Sequence, residues 1–302
     1  MRAMAFDDHS ELLADVVKAA RAAGADAAEA VVAERSSLSV SVRLGALEEV
    51  EREESRDLGL RVFVGRRQAT VAASDLSPRT RARLVERAVA MARLAPEDPY
   101  AGFAPEEALA RGPHPDLQLF DPTALTAEAL ERRCLEAEEA LRAVPGVTNS
   151  EGASASWSDG TWRILTSHGF EGAHRGSGFS ISASGIAEGP DGAMERDAEG
   201  RSTRWLEDLP APADIGRVAG ERATARVGAR KIDSTTAPVI FDRRVSSGLF
   251  NAMLGAISGP SIARGTSFLK DKLGERLFGE HVTVVDDPFR PRGLGSTPFD
   301  DE

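Results

Sequence analysis

The chain has 302 residues, 41% hydrophobic and 28% charged, which is ordinary globular usage and enough for roughly two domains with real cores. Its 48 acidic and 37 basic residues give a net charge of -11, and no Lys/Arg block is interleaved with aromatics, so direct nucleic-acid binding is not expected. A single cysteine, Cys134, excludes an internal disulfide framework and fits a reducing compartment, and no apolar run approaches the about 18 residues of a membrane span.

The N-terminal stretch Met1 to His9 lacks an apolar signal-peptide core, and a cytoplasmic protein is expected. Asp8-x-x-Glu11 predicts a capping box ahead of Leu12, Leu13, Val16, Val17 and Ala20, with Gly24 placed for a left-handed C-cap. From Ala27 to Ser74 the period is two. Leu38, Val40, Val42 and Leu44 alternate with Ser39, Ser41 and Arg43, and strand-like runs follow at 58–64 and 69–73, which predicts antiparallel strands with one wet face. The glutamates between Glu48 and Glu54 read as a solvated strand face or hairpin rather than a cation site. Ser77-Pro78 predicts an N-cap and first helical position for a helix through Leu84, Val85, Ala88, Val89 and Ala92.

Residues 96–122 are proline-rich and read as a connector. The next helix starts near Thr126 and carries Leu130, Cys134, Ala137 and Leu141 on one stripe, ending before Pro145-Gly146. Cys134 therefore reads as a buried structural thiol. A second β-rich region opens at Asn149, where Phe179, Ile181 and Ala183 alternate with Ser180, Ser182 and Ser184. A serine-lined face is either a solvated sheet surface or the wall of a wet cavity that receives a peptide backbone.

Residues 213–229 read as helix, 237–241 as a short buried strand, and Arg243 to Ser258 as a helix with Val245, Leu249, Met253 and Ile257 on one stripe. With Gly248, Ala252 and Ala256 on its other ridge, that helix is expected to pack closely on most faces. His281 to Pro288 reads as β-rich, and the acids after Phe299 read as a loop leading into something still to come. The resulting expectation is an α+β chain with an N-terminal domain over 1–145, a β-rich middle over 146–232 and an incomplete β-rich region over 233–302.

Histidine offers little catalysis. Six residues along one strand separate His168 from His174 by about 20 Å, so one shared metal would need the chain to reverse between them. His9, His114 and His281 are expected to face solvent. Walker A, Gly-x-Ser-x-Gly, Cys-x-x-Cys and His-Glu-x-x-His motifs are all missing, and 246–267 contain no His, Asp, Glu or Cys, so the helix at 243–258 cannot bind a divalent cation through its side chains.

In order along the chain, Asn149-Ser-Glu-Gly152, Ser167-His-Gly-Phe170, the run Phe179 to Glu188, Ala237-Pro-Val-Ile-Phe241, Val284-Val-Asp-Asp-Pro288 and Gly293-Leu-Gly-Ser-x-Pro-Phe-Asp-Asp-Glu302 resemble the TldD/PmbA family. Its members have been called modulators of DNA gyrase and belong to a two-subunit metallopeptidase. The resemblance implies an α+β N-terminal domain, a mostly β C-terminal domain, and two homologous subunits around a proteolytic chamber. It places a His-Glu-x-x-x-His zinc motif on the helix matching Arg243 to Ser258 in the metal-bearing subunit. This chain has neither residue there, so the resemblance is to the metal-free PmbA (TldE) subunit, with zinc and a TldD-like partner expected outside it.

Family chains continue past the Pro-Phe-Asp-Asp-Glu run, so truncation is expected. The residues expected near an extended, unfolded peptide are Ser180, Ser182, Ser184, Ser296, Pro298, Phe299, Asp300 and Asp301, while Asp286 and Asp287 read as turn chemistry. Two other readings are a regulatory protein of gyrase-linked toxin systems acting without proteolysis, and an autonomous hydrolase using His168 with Ser167 or His174.

Overall fold

Alternating apolar and small polar side chains build one antiparallel sheet from six strands, in the order β3-β2-β1-β4-β5-β6. The computed structural model describes residues 8–110, 112 and 114–299. The strands are β1 (Ala27–Arg43), β2 (Ala46–Val64), β3 (Arg67–Ala73), β4 (Val147–Thr166), β5 (Glu171–Glu188) and β6 (Met194–Thr203). Four helices, α1 (Ser10–Ala22), α2 (Pro78–Leu94), α3 (Ala127–Arg142) and α4 (Pro212–Ala225), supply the apolar stripes that cover one face. The fold is α+β.

Residues 1–145 and 146–232, separable as sequence, contribute to the same sheet. The reason is the register: β1 pairs with β4 from Glu29 opposite Thr166 to Val42 opposite Ala153, while its other edge pairs with β2. The core has two apolar clusters on the helix-covered face. One joins Leu13, Val16, Val85 and Ala88 to Val32, Leu58 and Leu60; the other joins Leu130, Cys134 and Leu141 to Leu38, Val40, Trp157 and Ile181. Each fully buried Leu or Ile contributes about 1.5–3 kcal/mol relative to exposure.

Caps match the local sequence in two of three helices. Ser77 Oγ accepts from Thr80 N at 3.3 Å and Thr126 Oγ1 accepts from Ala129 N at 3.2 Å. The predicted capping box at Asp8 does not form. Helix α1 starts at Ser10, so Asp8 Oδ1 instead accepts from the N–H and hydroxyl of Ser10, at 3.0 and 2.7 Å. His9 is also not solvent-facing: its Nε2 lies 3.3 Å from the buried Glu34, because the N-cap position tucks the ring against β1. At the other end Gly24 adopts φ +101° as expected, and Ala25 N donates to Ala20 O at 3.1 Å to close the helix.

Two backbone features position the second cluster. Gly216 of α4 lies so close to α3 that an added Cβ would sit 1.8 Å from Ala137 O. At the β1–β2 hairpin, Leu44 and Gly45 both have positive φ, 53° and 78°, as a two-residue turn of the right twist requires. Leu44 is strained there, and α3 supplies the clamp: Glu138 accepts the Leu44 and Gly45 N–H groups at 2.7 Å each and the Ser150 hydroxyl at 2.5 Å. Burial pushes the Glu138 carboxyl up, but the Ser150 hydroxyl and the two amides outweigh it and hold the group below its ordinary value.

Residues 230–286 form a separate unit holding α5 (Arg243–Ile257) and α6 (Gly259–Ala263). Two expectations fail here. No strand forms at 237–241 or 281–288, since no neighbouring strand in the unit offers a ladder, and Val239, Ile240, Val284 and Val285 are exposed. The stripe of α5 is not packed either: Val245, Leu249 and Ile257 are exposed and only Ala256 of this helix is buried.

Candidate functional site

Between the two apolar clusters, the helix-covered face carries charged groups that are paired. Glu34 is held by Arg56, and Asp159 by Arg175, whose guanidinium also stacks 3.8 Å over Phe120. Cys134 belongs to the same face; it is fully buried and burial pushes its thiol up to about 12, which removes it as a nucleophile.

On the opposite face of β1, β4 and β5, Phe170, Phe299 and Leu109 cover the Val31–Ile164–Gly172 end while the serine-bearing stretch is left open, and strand register sorts its residues into rows. Ser41, Ser154 and Ser182 share one row, and Ser39, Ser156, Ser180 and Ser202 the next. The hydroxyls pair across strands, Ser154 with Ser182 at 2.9 Å and Ser156 with Ser180 at 2.7 Å. The following rows are Ser37, Ser158 and Gly178, then Arg35, Gly160 and Gly176, then Ala33, Trp162 and His174. Two facing glycines thus form a floor with no side chains of its own between a lattice of hydroxyls and a pair of stacked rings, Trp162 and His174, 5.6 Å apart.

This floor lies in a groove of about 550 Å³. Arg35 borders it on the β1 side. Arg204, just past β6, borders it on the other, with Nη1 2.9 Å from where a Cβ on Gly176 would stand. Arg204 donates to Ser177 O at 3.2 Å, Leu294 O at 2.8 Å and Gly293 O at 3.5 Å, tying the C-terminal loop to the rim. Arg292 reinforces the loop from outside, donating to Glu207 and Asp208 and stacking 4.2 Å over Trp205.

Of the residues predicted to line a peptide channel, Ser180 borders the groove. Ser182 and Ser184 continue along the same face, where Ser184 donates to Glu151 at 2.7 Å. Ser296 is turned inward and donates to Arg290 O at 2.8 Å, and Pro298 borders a neighbouring pocket of about 590 Å³ with His114 and Trp205. Phe299 is buried behind the ring wall, against Trp162 and Phe170, in space that exists because residue 172 is glycine. Asp300 and Asp301 lie outside the described residues.

His168 and His174 do not converge: His168 packs edge-on against Phe103 at 4.5 Å, whereas His174 sits in the ring wall. Ser167 Oγ accepts from Ala28 N at 3.0 Å, a structural contact. Among the described residues no three His, Cys, Asp or Glu side chains gather as a metal site would require, and no helix is long and apolar enough to cross a membrane. Sequence reasoning missed Arg35, Gly160, Gly176 and Arg204. Their signal was the glycines inside strand patterns, which mark places where something approaches the backbone closely.

Three family models match in order: PmbA/TldA metallopeptidase domain 1 at 28–92, the central domain at 120–227 and the C-terminal domain at 234–302. Metalloprotease PmbA of Escherichia coli O157:H7 is 37% identical over 278 residues, covering 92% of this chain and 61% of that protein. A PmbA homologue from Haemophilus influenzae is 34% identical, covering 95% and 63%. The chain thus spans about three-fifths of the length of these curated relatives. Among solved structures, a proposed modulator of DNA gyrase from Bacteroides thetaiotaomicron superposes with TM-score 0.90 at 24% identity, over 98% of this chain and 68% of that one. TldE from Thermococcus kodakarensis superposes with TM-score 0.75 at 19% identity, over 95% and 64%. These two likenesses concern the fold, and with the three ordered domain matches and the curated relatives they place the chain in the PmbA/TldD metallopeptidase family.

Proposed function

We propose that this chain is the metal-free subunit of a TldD/TldE-type cytoplasmic metallopeptidase, one that degrades or processes unfolded peptides in a heteromeric chamber. The observation that carries the reading is α5, whose sequence RRVSSGLFNAMLGAI offers no His, Asp, Glu or Cys where the metal-bearing relatives are expected to hold zinc. The residues present do not fit a metal centre, so the metal and the proton-transfer group are assigned to a homologous partner. Zinc there would supply Lewis-acid chemistry. This chain's part is to present a non-charged lattice of hydroxyls and backbone beside an extended peptide.

Co-expression with a metal-bearing homologue tests this. The tagged chain is expected to recover that homologue, and chelator-sensitive peptide cleavage is expected only when both are present. Failure to recover it, with no cleavage on mixing, overturns the reading. Recovery of some other partner without proteolysis would instead favour the regulatory role. Chelator-insensitive cleavage by this chain alone, lost in His168→Ala, would favour an autonomous hydrolase.

A further inference from the structure

Arg35 and Arg204 border the same groove, and neither has a carboxylate partner among the described residues. Most arginines that reach this sheet from either face behave differently, being held by Glu29, Glu34, Asp159, Glu151 or Glu199. In a chain of net charge -11 a pair of unneutralised guanidiniums beside one trough is not a consequence of composition.

Arg204 is half-buried, and burial holds its guanidinium below the ordinary arginine range with no compensating acid. Three carbonyl oxygens take part of its donor capacity, which leaves donors of its five and its full charge. Arg35 is exposed and makes no hydrogen bond or ion pair with the described residues; Glu53 and Asp57 of β2 stand diagonally across from it without an ion pair to it. The carboxylates of Glu34 and Asp159 belong to the helix-covered face and are neutralised there.

The trough between the two cations has a floor of Gly160 and Gly176 and one wall of stacked rings. Side chains would fill that floor, and they are excluded: a Cβ at Gly160 would meet Glu34 O at 2.9 Å and one at Gly176 would meet Arg204. The Arg204 guanidinium itself stands over Gly176, so a flat group can settle on the bare backbone of Gly160, between that guanidinium and Arg35. The geometry points to a binding site for the terminal carboxylate of an extended peptide, anchored by Arg35 and Arg204, with its last side chain against Trp162 and His174 and its preceding backbone over Ser156, Ser158 and Ser180.

This deepens the proposed function, because a free carboxylate is the one anion that every peptide product carries whatever its sequence. A main chain running over uncharged hydroxyls is accepted without side-chain selection, and the ring wall favours an apolar final residue.

The test uses the purified chain and the peptide acetyl-Ala-Ala-Ala-Leu as free acid and as C-terminal amide, followed by calorimetry and by tryptophan fluorescence. The free acid is expected to bind about tenfold or more tightly than the amide, and Arg35→Gln to bring the acid down to the level of the amide, with Arg35→Lys restoring part of the difference. Because Arg35 is exposed and unpaired, its variants keep the wild-type melting curve, which a circular-dichroism melt checks. Equal affinity for acid and amide, no binding of either, or an Arg35→Gln variant that still discriminates overturns the assignment. Inorganic phosphate bound as tightly as the peptide acid overturns it too, by showing a site for any anion. None of these outcomes bears on the subunit reading, which co-purification and cleavage decide separately.

Discussion

The same six strands present two faces of different physical character. On the helix-covered face, Leu38, Val40 and Val42 meet Trp157, Phe179 and Ile181, and the buried acids have partners: guanidiniums for Glu34 and Asp159, backbone amides and a hydroxyl for Glu138. On the open face the intervening positions are Ser37, Ser39 and Ser41 beside Ser154, Ser156 and Ser158, with two cations left unneutralised. One face has settled its interactions internally and the other has kept them available. Stability is therefore expected to reside on the first face and ligand sensitivity on the second, and substitutions can separate them.

The largest effects should come from the covered face. Leu141→Ala removes a fully buried side chain between α3, β5 and α4 and is expected to cost about 2–5 kcal/mol in urea unfolding. Gly216→Ala forces α3 and α4 apart against backbone and is expected to cost about 1–3 kcal/mol. Native-state labelling of Cys134 reports both, since the thiol is buried and held protonated until the helices open. A comparable loss from an open-face serine would break the comparison.

Glu138→Gln should cost about 2 kcal/mol, because three donors lose a charged acceptor. The pH dependence has a definite sign. The folded carboxyl lies below its ordinary value of 4.5, so its contribution is complete above that pH and is lost as pH falls through the folded value. Stability measured from neutral to acid pH should fall more steeply in the parent chain than in Glu138→Gln. The smallest effect is expected from the double substitution Ser156→Ala with Ser180→Ala, within about 0.5 kcal/mol, because both partners of one hydrogen bond leave together. A loss well above that would show that the hydroxyl lattice holds the sheet together.

Much of the fold was legible because local rules and tertiary packing agreed. Ser77, Thr126 and Gly24 sit where their capping chemistry predicts, and the alternation at Leu38–Val42 and Phe179–Ala183 gave the two faces correctly. The partnership of β1 with β4 was not legible, since sequence period says which face a residue takes but not which strand lies beside it. The same limit hid the trough, whose parts come from β1, β4, β5 and the end of β6. The role of Glu138 was not legible, because the amides it holds belong to a hairpin 94 and 93 residues away, although one acid bordering an apolar stripe is itself a sign of a buried acceptor. At 237–241 and 281–288 short β-rich runs were read as strand, yet a strand is a property of a pair, and no strand forms among the residues of 230–286.

The central placement of β1 bears on how the chain would respond to being cut. The described residues of 96–122 are largely exposed apart from Leu117, Leu119 and Asp121, and the segment links two halves whose strands are laced into one ladder. A nick in the exposed part of this connector would leave two pieces that hold each other by main-chain hydrogen bonds and a shared core, neither able to leave without stripping a strand edge bare. The link can thus be severed while the molecule remains a single object, and separately produced halves would be candidates for reassembly by complementation.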